Sequence, residues 1–128
     1  MIEYRKFITR QMIRNEPDKL FVFGDNLQRK GLGGQAKEMR GEPNAVGIPT
    51  KRAPSMDEDA FLVDGDLGLW EHCSHNDRAR LLVHHSNGGI IVWPEDGIGT
   101  GLAQLPQRSP LIWEIIETLR KDLEKLID

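Results

Sequence analysis

The sequence predicts a single α/β domain spanning residues 1–128, built on a mixed sheet flanked by helices. Three short, apolar, β-favouring runs, at 19–23, 45–48 and 90–93, each end in a turn-forming or proline-containing loop. Segments of helix-forming residues lie between the runs. The last segment, 109–126, repeats apolar residues at helical spacing behind a serine N-cap and an N1 proline. Alternating strands and helices favour an α/β sheet over a helical bundle.

The first predicted strand, KLFVF at 19–23, is followed by the turn-forming sequence GDN. A glycine-rich loop comes next, and 35–40 (QAKEMR) contains good helix formers. A strand, a glycine loop and a helix N-terminus therefore follow in order, which is an arrangement suited to binding an anion.

The second predicted strand, AVGI at 45–48, ends at a proline and leads into the rigid, basic loop 50–54. From 55 to 76 the pattern is irregular, and we expect a lid-like excursion or an irregular helix. A short helix is predicted over 77–85. The strongest strand signal is IIVW at 90–93.

Size and charge exclude several classes of protein. The chain has 128 residues and a formal net charge of -3, whereas proteins that neutralise many DNA phosphates need a clear basic face. The N-terminal sequence has no apolar core of signal-peptide length, and no run approaches the roughly eighteen apolar residues of a membrane span. We therefore expect no membrane partner and a cytoplasmic location.

The single cysteine, Cys73, can form no intrachain disulfide and no paired thiolate site. Four histidines share the spacings H-C-x-H and H-H, which match no structural zinc pattern: His72, His75, His84 and His85. We therefore predict neither a metal nor a cofactor.

Gly97, Gly99 and Gly101 follow the last predicted strand at alternate positions. Because they lack β-carbons, successive N–H groups can converge on an anion that approaches the backbone closely. The alternative is a tight turn that needs positive φ values. Ligands of open α/β sheets lie beyond the carboxyl ends of strands, so the position of this loop favours phosphate binding.

The loop after the first strand offers similar chemistry. Gly31, Gly33 and Gly34 would present free N–H donors before a helix, or form a flexible surface loop. Asp25 and Asn26 could hydrogen-bond a ribose or base, or form an Asx-turn or a helix cap.

Lys51 and Arg52 follow the second strand. They could hold a phosphate, and a desolvated Lys51 could act as a nucleophilic amine, although a solvated basic loop explains most such lysines. The predicted ligand-binding residues all belong to these strand-end loops. They are Gly24, Asp25, Asn26, Gly31, Gly33, Gly34, Gln35, Thr50, Lys51, Arg52, Gly97, Ile98, Gly99, Thr100, Gly101 and Leu102.

The three tryptophans are predicted to serve mainly in packing. Trp93 and Trp113 are expected in the core or an interface. Trp70 has polar neighbours in the sequence, so it is the best candidate for stacking on a base.

The sequence PEDGIGTGLAQLPQRSPLIWEIIETLRKDL resembles the closing strand, diphosphate loop and last helix of macrodomains, the ADP-ribose-binding α/β fold. FGDNLQRKGLGGQA followed by GIPTKRAPS is similar in order to the terminal ADP-ribose glycohydrolases of that fold. The chain also resembles small proteins of bacteriophage and bacterial genomes that share GDN, GGQA, RGEPNA, IPTK and GIGTGLA.

The glycohydrolase resemblance implies that Lys51 attacks the ribose carbon and forms a covalent intermediate. The aspartate that the subclass carries after its last glycine-loop leucine does not transfer, because Ala103 follows Leu102 here. Binding of an ADP-ribose-like ligand is therefore a safer expectation than any reaction.

Three functions compete. The first is an enzyme that removes ADP-ribose from DNA or protein, with Lys51 as nucleophile. The second is a module that binds ADP-ribose or a related NAD-derived nucleotide without turnover, such as a phage anti-defence protein that sequesters a signalling nucleotide in the host cytoplasm. The third is purely structural, with glycines that serve turns alone. The missing aspartate favours the second.

Overall fold

The computed structural model describes residues 1–126, so the last two residues of the predicted domain 1–128 lie outside the described part. These residues form one α/β domain. The strands are β1 Ile2–Arg5, β2 Leu20–Asn26, β3 Ala45–Lys51 and β4 Ile91–Pro94. The helices are α1 Arg10–Asn15, α2 Ala36–Met39, α3 Leu67–Ser86, α4 Leu105–Arg108 and α5 Pro110–Glu124, with short 3₁₀ turns at Glu58–Ala60 and Asp64–Asp66.

The sheet has the strand order β1-β4-β2-β3, and every pairing among the described residues is parallel. The prediction of a mixed sheet is therefore wrong for this part of the chain. A parallel pair needs a crossover of a dozen or more residues, and each connection between paired strands contains at least one helix. Parallel pairing brings the carboxyl ends of β2, β3 and β4 to one edge.

Side chains of each strand alternate between the two faces of the sheet, and helices cover both faces. Leu20 and Val22 point to the face covered by α3 and α5, where Trp70 and Ile116 join them. The opposite face is covered by α1 and α2 and packs these buried residues: Ile8, Ile13, Phe21, Phe23, Ala36, Met39 and Val92. The result is a three-layer arrangement in which both cores brace the strand ends.

The predicted strands and the last helix are confirmed with small shifts in their ends. Ser109 caps α5 by accepting a hydrogen bond from the Ile112 N–H at 3.4 Å, and Pro110 occupies the first turn, as predicted. The helix predicted over 35–40 is only the single turn Ala36–Met39. The helix-dipole argument for the preceding glycine loop therefore does not apply.

The segment 67–86 is one continuous helix, whereas the sequence predicts an irregular segment to 76 and a short helix after it. The apolar periodicity is hidden because Ser74 and His85 occupy buried positions alongside Trp70 and Leu81. Strand β1 and helix α1 have no counterpart among the predicted elements. No helix within residues 1–126 has the length and apolar character required to cross a membrane.

Candidate functional site

A cavity of about 540 Å³ lies at the carboxyl ends of β2, β3 and β4. Its walls come from the loops that follow these strands, as expected for an open parallel sheet. It is lined by every predicted ligand-binding residue except Arg52 and Thr100. A wider and more open depression of about 710 Å³ lies at the opposite edge, beside the amino ends of β2 and β3. That depression is lined by no glycine-rich loop.

The loop after β4 presents a row of unpaired backbone donors. Within residues 1–126, the N–H groups of 98–102 donate no hydrogen bond. The Gly97 N–H is bonded to the Pro94 carbonyl at 2.9 Å, so it belongs to the turn and not to the donor row. Gly97 and Gly99 have φ values of 83° and 78°, which satisfy the alternative requirement of a tight turn as well. The loop therefore combines turn glycines with free donors.

The loop between β2 and α2 forms a second wall. The N–H groups of 31–35 also have no acceptor among the described residues. Gly31 and Gly34 adopt positive φ values of 93° and 56°, while a β-carbon on Gly33 would meet nothing within 4 Å. Two separate loops that line the cavity thus carry unpaired backbone donors.

Asp25 lines the cavity, but its carboxylate is already paired. Arg40 Nη2 lies 2.5 Å from Asp25 Oδ1, Arg40 Nη1 lies 3.2 Å from Oδ2, and Arg29 Nη1 lies 3.5 Å from Oδ2. The Asn26 N–H donates to the same carboxylate at 2.8 Å. Arg40 also donates to the Lys30 and Gly31 carbonyls, so this group fastens the glycine loop to the end of β2.

Asn26 closes the loop that leaves β2. Its side-chain amide donates to the Lys30 carbonyl at 2.7 Å and accepts from the Lys30 N–H at 3.4 Å. These bonds reach four residues along the chain, so they close a longer loop than the Asx-turn alternative, in which the side chain bonds the backbone two residues on. Both side-chain groups of Asn26 are therefore used within the protein.

Lys51 lines the cavity from the end of β3 and pairs with no carboxylate among the described residues. Its Nζ donates to the Ser55 carbonyl, lies 3.6 Å from the Met56 sulfur and 4.9 Å from the centroid of the Phe61 ring. Burial lowers the pKa of the Lys51 amine below its ordinary value. Arg52, the other cation of this loop, pairs with Asp66, with Nε 3.0 Å from Oδ2 of that carboxylate.

Two other predicted residues lie outside the cavity. Thr100 does not line it, and its hydroxyl donates to the Asp96 carbonyl at 2.8 Å. Trp70 is fully buried, and its indole N–H donates to the Pro49 carbonyl at 2.7 Å. Trp70 is therefore a core residue, as expected for the tryptophans in general, and the suggestion that it is the best candidate for stacking on a base is wrong. Polar sequence neighbours on a helix can flank a buried position.

The position that follows Leu102 also lies in the cavity wall. Ala103 lines the cavity. The aspartate that the glycohydrolase subclass carries at this position would therefore lie at the site, and this chain has an alanine there. Asp25 is the one carboxylate among the described lining residues, and two arginines hold it. The cavity therefore offers donors and amines but no free carboxylate within the described residues.

A family model described as a family of unknown function, DUF7831, matches residues 3–119. The chain belongs to this family. The DUF7831 match contains all of β2, β3 and β4 and every residue that lines the cavity. Comparison with curated proteins and with solved structures gave no match for the chain.

Several residues that line the cavity of this DUF7831 chain are not among the ligand-binding residues predicted from the sequence. They come from the segments flanking the predicted loops: Leu32, Ala36, Arg40, Pro54, Ser55, Met56, Pro94 and Ala103. Arg40 follows α2, and no local pattern indicates that it pairs with Asp25 fifteen residues earlier. Leu32 and Met56 are exposed apolar residues in loops, a feature that the sequence itself displays.

Proposed function

We propose that this DUF7831 chain binds ADP-ribose or a related NAD-derived nucleotide in the strand-end cavity. The diphosphate accepts hydrogen bonds from the backbone N–H groups of the lining residues of the donor row, Ile98, Gly99, Gly101 and Leu102. This unpaired donor row is the observation that carries the proposal: Ile98 is buried and Gly99 partly buried, where an N–H group without a partner is costly, and Gly101 and Leu102 extend the row to the surface. A phosphate group satisfies several such donors at once.

The charge and size of the cavity support an anionic ligand of nucleotide size. Lys30 and Lys51 line it and pair with no carboxylate among residues 1–126. A volume of about 540 Å³ falls within the range of small-molecule sites. The described lining contains no aromatic ring, so a base would pack on the aliphatic side chains of Leu32, Met56 and Leu102.

Binding without turnover agrees best with the charged groups in the site. A hydrolytic step needs an acid or base near the reacting carbon, and the one carboxylate in the described lining is held by Arg29 and Arg40. We therefore propose that the protein sequesters a free nucleotide, and that attached ADP-ribose is at most a secondary ligand.

A thermal-shift panel tests this proposal. ADP-ribose, NAD, cyclic ADP-ribose isomers and common mononucleotides are each added to the intact chain, and the unfolding midpoint is recorded. A ligand that binds only the folded state raises the midpoint by mass action. We expect the largest rise from a diphosphate-bearing ligand. Equal midpoints for the whole panel would contradict the proposal.

Lys51 supports one alternative function, removal of ADP-ribose from DNA or protein. In that reaction the neutral Nζ bonds to the ribose C1″ carbon while the bond from this carbon to the carrier breaks, and water later releases the sugar. The lowered pKa of Lys51 favours the neutral amine. The leaving group must gain a proton, however, and the described lining has no unpaired carboxylate to provide it.

A further inference from the structure

Gln35 is unusual among the residues that line the cavity. Its side-chain oxygen Oε1 is buried and accepts no hydrogen bond from the described residues. Among buried side-chain nitrogen and oxygen atoms of residues 1–126, this is the only one without a partner. A buried acceptor without a donor destabilises the folded protein, so such atoms often have a functional reason.

The two donor loops of the cavity therefore differ chemically. The N–H groups of 98–102 form a wall of donors alone, with no polar side chain except that of Thr100, which points to Asp96. The N–H groups of 31–35 belong to the loop that ends at Gln35, the residue whose buried side-chain oxygen has no donor. A phosphate oxygen only accepts hydrogen bonds at neutral pH, so it suits the first loop and is repelled by Gln35 Oε1.

A hydroxyl group complements the second loop, which offers both donors and an acceptor. It can accept from a backbone N–H and donate to an amide oxygen at the same time. The edge of adenine offers the same pair of functions through its amine and a ring nitrogen, so the base is the competing partner, and ribose 5-phosphate, which has hydroxyls but no base, separates the two. From the difference between the two loops we infer that Gln35 determines specificity by accepting a hydrogen bond from a sugar hydroxyl of the ligand. The inference rests on the proposed function, because it gives the bound nucleotide an orientation between the two loops.

The test compares three probes on three proteins by calorimetry. The probes are ADP-ribose, ribose 5-phosphate and inorganic pyrophosphate, of which only pyrophosphate lacks a sugar hydroxyl. The proteins are wild type, Gln35→Met, which removes the acceptor at similar volume, and Gln107→Met, an exposed glutamine outside the cavity lining as matched control. Losing a hydrogen bond to a buried polar group typically weakens binding by about ten-fold or more.

We expect Gln35→Met to bind ADP-ribose and ribose 5-phosphate at least about ten-fold more weakly than wild type, with pyrophosphate unchanged. Gln107→Met should match wild type for all three probes. Equal losses for pyrophosphate, or no loss for the two sugars, would overturn the inference while leaving the proposed function intact. If wild type binds neither sugar probe, the proposed function and the inference both fail.

A second readout separates recognition from a structural role. Replacing an unsatisfied buried acceptor by an apolar side chain should leave the unfolding midpoint of the ligand-free protein unchanged or raise it. A lower midpoint for Gln35→Met than for Gln107→Met would show that the amide supports the fold, and would overturn the inference whatever the affinities.

Discussion

Gly99 packs against Thr50 so closely that a β-carbon on Gly99 would lie 3.1 Å from Thr50 Cγ2. The same β-carbon would lie 3.1 Å from Cβ of Leu105. The loop after β4 is thus pressed onto the end of β3, with no room for a side chain at its centre. This contact fixes the donor row relative to Lys51, the residue that follows Thr50.

A substitution at Gly99 should therefore destabilise the fold. Gly99 has a φ of 78°, so Gly99→Val adds backbone strain to the contacts with Thr50 and Leu105. We expect the free energy of unfolding to fall by about 2 kcal/mol or more, measured by urea denaturation. An unchanged denaturation midpoint would show that the loop readily moves away from β3.

Gly101 provides the cleaner test of ligand binding. A β-carbon there would meet no atom within 4 Å, and Gly101 is exposed at the cavity wall. Gly101→Val should keep the stability of wild type and weaken binding of ADP-ribose by about ten-fold or more, because the branched side chain occupies the space in front of the donors. Calorimetry measures the affinity.

The matched control is Gly65→Val, which also places the new side chain in open space but outside the cavity lining. It should bind like wild type. The donor row would lose its assigned role if Gly101→Val, still folded, bound ADP-ribose as tightly as Gly65→Val.

Lys51 should act through its charge and not as a nucleophile. Lys51→Arg retains a cation in the cavity, so we expect affinity within about ten-fold of wild type and no release of ADP-ribose from modified DNA or protein by either protein. Turnover by wild type that is lost in Lys51→Arg would establish the glycohydrolase alternative, since a guanidinium stays protonated.

The pH dependence of binding follows from the same residue. Because the pKa of Lys51 lies below its ordinary value, the amine loses its proton at lower pH than a solvated lysine. Affinity for a phosphate ligand should therefore decrease as pH rises towards that pKa in wild type, and much less in Lys51→Arg. Identical pH profiles for the two proteins would exclude Lys51 as an anion contact.

Glu16 should contribute to stability except at strongly acidic pH. Arg5 and Lys19 hold the pKa of this carboxyl at about 2, below the ordinary value of 4.5. A depressed pKa in the folded state stabilises the protein above the ordinary value, and this contribution disappears as pH falls through about 2.

At pH 7 we expect Glu16→Gln to lower the free energy of unfolding by about 1 kcal/mol, because the ion pairs are only partly buried. The difference from wild type should vanish near pH 2. Glu95→Gln, at an exposed residue without an ion pair among those described, is the control. A loss that persists unchanged at acid pH would mean that Glu16 acts through packing.

The sequence by itself determined the strand-end loops and the last helix. The apolar runs before Gly24, Pro49 and Pro94 and the capped repeat from Ser109 are local signals, and local signals can be interpreted without the fold. The sequence also placed these loops after strands, where open α/β sheets bind their ligands, but that all the pairings among the described residues are parallel came only from the structure.

Only the tertiary structure decided which groups in the site remain free. Asp25 and Arg40 are far apart in the chain, and their pairing removes the one carboxylate of the described lining from chemistry. The burial of Trp70 and the unpaired Gln35 oxygen likewise depend on what packs around them. Hydrogen bonds between distant residues are set by three-dimensional proximity, so the availability of a polar group cannot be predicted from its sequence neighbours.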